Sequence, residues 1–335
     1  MMIECRVMNR LSALRRGGWL AAGLLLAAGL LLGGCAGTKA PFLIGVNGWP
    51  PCEIWYVAEQ QGYFGKVPVK IVRFSIWSDN MASLYKGNLD LTHATYLNAL
   101  YYGDKGEKAK IILSSDTILG GDGLVLKSSL TGVEDLRGRR VAVEVNTDEH
   151  FLLRKALEAF GLTEQDIKII STSSEGAATM FAEGAVEACF TYEPFLSEAA
   201  ARGGGRIAWS TKELPGYMTD VLVATEKVIA DRPRDLQVIL AAWYKAQEYI
   251  RLHPAEAFAL MAEKEGMSAE DFATFYNSFT MFTAQENVEI FDSAAFRTIL
   301  SEMKEFLLFH RAVQAPLDVE QAFTADIVRK VAPLR

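Results

Sequence analysis

The chain has 335 residues, 50% of them hydrophobic, enough for one large core or two ordinary ones. With 41 acidic against 34 basic residues and a net charge of −7, it lacks the basic surface that nucleic-acid binding requires. The same field disfavours anions at long range, although local donors override it.

The N-terminus reads as an export signal. Arg10, Arg15 and Arg16 precede an apolar run over 19–32, too short for a folded bilayer span and right for a signal peptide. The run ends at Leu32-Gly33-Gly34-Cys35, where small residues before the cysteine and a leucine three positions ahead of it resemble a bacterial lipoprotein signal. That resemblance implies a signal peptide over 1–34, lipidation at Cys35, a tether over 35–41, and an extracytoplasmic protein held at a bacterial membrane. Removing 1–34 leaves 30 basic and 40 acidic residues, a net of −10. Cys5 leaves with the signal, while Cys52 and Cys189, on a loop and a distant strand, are expected as free thiols. His93, His150, His253 and His310 are scattered without metal-ligand spacing, so neither a metal nor a cofactor is expected.

The folded part opens with Ile44-Gly45-Val46-Asn47-Gly48-Trp49-Pro50-Pro51-Cys52-Glu53, which reads as strand, stiffened loop and helix. Ile54, Val57 and Ala58 form the buried stripe of that helix, and Gly62 ends it. Alternation over 67–74 predicts a strand, followed by a helix that Ser78 or Asp79 caps and Gly87 closes. Strands over 89–93 and 110–114 come next, with Thr95 opening the helix between them and Ser115-Asp116-Thr117 read as a polar loop. Gly120, Gly121 and Gly123 mark a further loop.

From Val133 the pattern restarts. A strand over 141–145 leads to Asn146-Thr147-Asp148 at the start of a helix, then strand 167–170, helix 174–183 and strand 186–191 running into Glu193-Pro194. Val69-Lys70-Ile71-Val72, a helix and Gly87 are echoed by Ile167-Lys168-Ile169-Ile170, a helix and Gly184. This alternation predicts an α/β protein of two lobes with mostly parallel sheets, with a ligand cleft at the carboxyl ends of the strands. The apolar run 221–224, led by Asp220, is a candidate return crossing, giving lobe 1 as 42–125 plus 219–335 and lobe 2 as 126–218. The rest is helical: Leu236, Ile239, Trp243, Ala246 and Ile250 share one face, Ser268 and Asp271 form a capping pair, and 296–309 is amphipathic.

Gly45-Val46-Asn47-Gly48-Trp49-Pro50, Ala58-Glu59-Gln60-Gln61-Gly62-Tyr63-Phe64, Lys86-Gly87-Asn88-Leu89-Asp90, Asp135-Leu136-Arg137-Gly138-Arg139-Arg140-Val141 and Ala182-Glu183-Gly184-Ala185-Val186-Glu187-Ala188 with Glu193-Pro194 together form a pattern. It resembles the solute-binding proteins of nitrate, sulfonate, taurine and thiamine-precursor ABC importers. The resemblance implies a periplasmic-binding-protein type II fold, with two doubly wound lobes joined by a two-strand hinge. It also implies a monomer that closes on a small molecule and delivers it to a permease with a cytoplasmic ATPase.

Anion-binding members carry small residues where this chain has Val145-Asn146-Thr147-Asp148-Glu149-His150. Asp148 and Glu149 would occupy the helix N-terminal field that otherwise draws an anion. Glu53, Asp79, Asp116, Glu193 and Asp220 fall at expected loop positions and favour an amine, amidine or nitrogen heterocycle, because a buried carboxylate needs a paired charge or several donors. Trp49 and Trp77 would stack on a ring or hold an ammonium, and Ser78, Thr95, Asn146 and Thr147 complete the expected binding set. A sulfonate or nitrate ligand is the alternative, as is a sensor subunit that presents its ligand to a membrane receptor. Fungal pyrimidine synthases share this fold, but their cysteine-rich motif and dedicated histidine have no counterpart here, so no enzyme is expected.

Overall fold

The computed structural model describes residues 40–103, 108–314 and 318–332. The signal segment, Cys35 and most of the tether lie outside the described residues. The first half runs β1 (Phe42–Val46), α1 (Ile54–Gln60), β2 (Val69–Arg73), α2 (Trp77–Tyr85), β3 (Leu91–Thr95), α3 (Tyr96–Tyr102), β4 (Ala109–Ile118) and β5 (Asp122–Lys127). Next come β6 (Arg140–Val143), α4 (Asp148–Ala159), β7 (Lys168–Ser171), α5 (Ser174–Ala182), β8 (Ala188–Tyr192), α6 (Phe195–Arg202), β9 (Gly205–Ser210) and β10 (Thr219–Thr225). The chain then turns helical through α7 (Glu226–Asp231), α8 (Pro233–Leu252), α9 (Pro254–Glu265) and α10 (Ala269–Tyr276). A short strand β11 (Phe279–Met281) precedes α11 (Ala284–Asp292), α12 (Ala294–Phe309) and α13 (Val328–Val331).

The strands form two sheets, ordered β11-β4-β10-β3-β1-β2 and β7-β6-β8-β5-β9. In the first, β1 lies between β2 and β3 and runs parallel to both; in the second, β6 lies in the same way between β7 and β8. The two echoing sequence segments are therefore the equivalent strand–helix–strand unit of each sheet. The chain passes between sheets twice, from β4 to β5 and from β9 to β10.

These crossings correct the expectation of mostly parallel sheets. β10 is antiparallel to β3 and β4, and β5 is antiparallel to β8 and β9. A helical crossover on one sheet enforces parallel pairing, whereas a strand arriving from the other sheet is free of that constraint. The same pairing corrects the end of β4. Ser115, Asp116 and Thr117 are strand rather than loop because β10 supplies partners at Asp220↔Asp116 and Thr219↔Thr117.

Local chemistry explains the remaining boundaries. Thr95 caps α3, its Oγ1 accepting the Asn98 N–H at 3.1 Å, and Ser268 caps α10 through the Asp271 N–H. Helix α2 begins one residue earlier than its expected cap: Ile76 stands at the N-cap, and Ser78 and Asp79 sit in the exposed first turn. The α8 stripe is buried as its spacing requires, with the Trp243 ring 4.9 Å from Trp55, whose Nε1 donates to His93 Nε2 at 2.9 Å. Among the described residues, no helix is long and apolar enough to cross a membrane.

β1 approaches α2 and β3 closely at Gly45. A Cβ there would stand 2.2 Å from Asn80 Oδ1 and 2.9 Å from Thr92 Oγ1, the hydroxyl that donates to the Gly45 carbonyl. Gly45→Ala is accordingly expected to lower stability by about 1–3 kcal/mol through overpacking, read as a lower urea midpoint at unchanged slope. An unchanged midpoint would show that α2 moves off β1 without cost.

Candidate functional site

A cavity of about 530 Å³ opens where the loops of both sheets converge. Its lining comes from the carboxyl ends of β1, β3, β6 and β8: Asn47 to Trp49, Thr95, Glu144 with Thr147 to Glu149, and Tyr192 to Pro194. This is the ligand position that open α/β sheets provide. Asp122 and Asp220 join them from the strands that begin just after the two crossings.

Six carboxylates line the cavity: Asp122, Glu144, Asp148, Glu149, Glu193 and Asp220. Among the described lining residues there is no Lys or Arg. The one imidazole, His93, accepts from Trp55, and burial lowers it to about 3, so it is neutral.

Four of these acids sit on three helix N-termini. Asp148 is the first residue of α4, with Glu149 beside it. Glu144 Oε2 accepts from the N–H and Oγ of Ser174, both at 3.0 Å, at the start of α5. Glu193 accepts from the Ser197 N–H at 3.1 Å and the Ser197 Oγ at 2.6 Å in the first turn of α6. Helix N-termini attract anions through free N–H groups and the aligned peptide dipoles. Here the protein's own side chains fill that field.

Asp148 also joins the two sides of the cavity. Its Oδ2 accepts from Thr95 Oγ1 at 2.9 Å and Asn98 Nδ2 at 2.7 Å, both at the start of α3. Its Oδ1, like Oδ1 of Asp122, is buried without a hydrogen-bond partner among the described residues. Burial, then the charge of Glu149, pushes Asp148 up to about 7. Asp122 is raised well above the usual carboxylate range by burial and then by Glu149, Asp148 and Glu193.

On the opposite side, Trp49 Nε1 donates to Asp220 Oδ2 at 3.0 Å, and the Trp49 ring stands edge-on to Phe275 and Phe279. Asp116 faces Asp220 across the β4–β10 pairing. Burial and then the charge of Asp116 hold Asp220 well above the usual range, while burial raises Asp116 to about 6. Two carboxylates this close do not both ionise freely.

The structure sorts the expected binding set. Trp49, Trp77, Thr95, Thr147, Glu193 and Asp220 line the cavity; Asp116 lies behind Asp220, fully buried in β4. Glu53, Ser78, Asp79 and Asn146 are outside the lining. Glu53 belongs to a separate cluster, 2.7 Å from Arg73, which reaches Glu265 at 2.9 Å. Ser78 and Asp79 face solvent, and Asn146 is exposed at a φ of 63° just ahead of Thr147. Asp122 escaped the sequence reading, although an acid between Gly121 and Gly123 at a crossing was the available signal; Asn98, three residues past the Thr95 cap, was another. The histidines are not all scattered in space: the His150 and His310 rings lie 4.6 Å apart beside Glu164.

Residues 36–264 match the NMT1-like family. In fold, the chain is similar to the periplasmic aliphatic sulphonate binding protein SsuA from Escherichia coli, with a TM-score of 0.72 at 18% identity over 87% of this chain and 99% of that one. It is also similar to the desulfurization enzyme DSZB, with a TM-score of 0.59 at 15% identity over 88% of this chain and 99% of that one. A Brucella abortus protein provisionally named as a binding protein is 20% identical over 222 residues, 65% of this chain and 69% of its own length. At these identities the solved structures establish the fold, and the chemistry has to be read from the cavity.

A raised acid stabilises the fold below its unfolded value, and that stability is lost as pH climbs through the folded value. For Asp148 the window runs from 3.8 to about 7, and Asp122 and Asp220 act in the same direction. Asp135, Asp166 and Glu187 are lowered and act oppositely only below about 4.5, while His93 and His150, lowered to about 3 and about 4, act oppositely up to their free value of 6.5; Glu53, Asp116 and Glu149 add to the raised acids, which outnumber the two imidazoles. The ligand-free protein is expected to melt at progressively lower temperature across the window, with a flatter slope in Asp148→Asn. A melting temperature that rises with pH there would contradict the assignment.

Proposed function

Because the chain belongs to the NMT1-like family, we propose that it is the solute-binding protein of an ABC importer, capturing a small cationic amine, amidine or nitrogen heterocycle between its lobes. In this reading the lobes are residues 42–121 plus 219–335 and residues 122–218, the expected boundary at 125 moving back because β5 pairs within the second sheet, and they close about the two crossings before delivery to a permease with a cytoplasmic ATPase. Cys35 carries the lipid that holds the protein at an extracytoplasmic membrane face.

The observation that carries the ligand class is the set of six cavity carboxylates with no Lys or Arg in the described lining. Removing such charges from water costs several kcal/mol each unless they are paired or neutralised. A ligand bearing one or two basic nitrogens supplies that pairing, and a volume of about 530 Å³ suits a small molecule. Trp49 and Trp77 offer aromatic faces for a cation or a heterocycle.

The likeness to SsuA favours a sulfonate as the second reading. A sulfonate at the N-termini of α4, α5 or α6 would meet Asp148, Glu144 or Glu193, each already in the place an oxyanion takes. The likeness to DSZB raises catalysis, but the cavity's thiol argues for binding. Burial, then Glu53, Asp116 and Asp220, pushes Cys52 well up, which keeps it a thiol rather than the nucleophilic thiolate.

Thermal unfolding of the purified protein against alkylamines, guanidino compounds, aminopyrimidines, alkanesulfonates and nitrate tests the ligand class. A ligand at a hundred times its dissociation constant adds about 2.7 kcal/mol. Stabilisation by a cationic or basic heterocyclic compound is expected, weakened tenfold or more by Asp148→Asn or Asp122→Asn. Stabilisation by alkanesulfonates or nitrate alone would overturn the cationic assignment. For the anchor, Cys35→Ser is expected to move the protein from the membrane fraction to the soluble fraction; retention in the membrane would refute lipidation at that residue.

A further inference from the structure

We infer that His150, Glu164 and His310 form a binding site for a zinc-class divalent cation, apart from the ligand cavity, that ties the two sides of the molecule together. His150 lies in the first turn of α4 and Glu164 in the 3-10 turn Glu164–Asp166 before β7, both on the side of the second sheet. His310 follows α12, which packs on α3 on the side of the first sheet.

Two of the three ligand-atom separations match those around a tetrahedral ion. Ligand atoms at about 2.0–2.1 Å from zinc stand roughly 3.3–3.4 Å from one another. Nε2 of His150 is 3.3 Å from a Glu164 oxygen, and Nε2 of His310 is 3.2 Å from one. All three ligand atoms fall within 4.8 Å of one another. Two imidazoles and a carboxylate suit zinc and its first-row neighbours rather than calcium or magnesium, which take oxygen ligands.

A second observation points to the ligand independently. His150 is 2% exposed, and its Nε2 has no hydrogen-bond partner among the described residues, although it faces Glu164 and His310. A buried ring nitrogen is normally satisfied. Phe306 packs against both rings, with centroids at 5.2 and 4.5 Å, and holds their orientation. His150 Nδ1 accepts the Asn146 N–H at 3.2 Å, and coordination at Nε2 transfers the ring proton to Nδ1 at the expense of that one long bond.

Because ligands come from both sides, the ion binds the arrangement described here and not one with the lobes apart. Occupancy and closure are then linked, each favouring the other by the same factor. Zn²⁺ and Co²⁺ titrated into the purified, chelator-treated protein, followed by calorimetry and visible absorption, test the site without any organic ligand. One equivalent is expected to bind, with the visible absorption of four-coordinate Co²⁺. His310→Ala and Glu164→Gln, at partly exposed positions that spare the buried His150, are each expected to weaken binding at least tenfold while circular dichroism is unchanged. The absence of saturable binding to the unaltered protein, or binding that both variants retain at full strength, would overturn the inference.

Discussion

A buried carboxylate without a fixed counter-charge is the constraint on which the arrangement turns. Asp148 stands at the head of α4, takes hydrogen bonds from Thr95 and Asn98 on the opposite side, and leaves its second oxygen buried without a partner among the described residues. The helix N-terminus favours its charge, burial opposes it, and Glu149 beside it opposes it further. Burial raises Asp122 and the Asp116–Asp220 pair as well, without a helix N-terminus to offset it. In the proposed reading, a basic ligand supplies the counter-charge that the lining acids lack among the described residues.

The fold itself does not impose that choice. Three helices of the second lobe direct their N-termini at the cavity, a geometry that receives an oxyanion as readily as a carboxylate. Glu144, Asp148 and Glu193 occupy those positions, accepting hydrogen bonds from the hydroxyls of Ser174, Thr95 and Ser197. In the proposed reading, a few side chains at strand ends set the charge preference of a scaffold whose fold is similar to that of SsuA. Selectivity in such a fold lives in what fills the helix ends.

Much of this was legible in sequence because it is local. The Thr95 cap, the Asp148-Glu149 pair at a helix start and the echoed strand–helix–strand units each depend on a few neighbouring residues, and the structure contains all three. What was misread depends on distant chain. Asp116 looked like a loop acid because β10, more than a hundred residues away, supplies the partners that extend β4. Glu53 looked like a cavity acid until Arg73 and Glu265 drew it into a separate cluster. His310 gave no sign of meeting His150, since only the packing of α12 brings it to Glu164.

The most direct test of the account is native mass spectrometry of the protein purified from its own cells without denaturation, with the bound small molecule released and identified. A molecule carrying at least one basic nitrogen that is protonated at neutral pH is expected. A sulfonate, nitrate or other oxyanion lacking such a nitrogen would contradict it, and would mean that the six cavity acids are themselves neutralised or turned aside when the ligand enters.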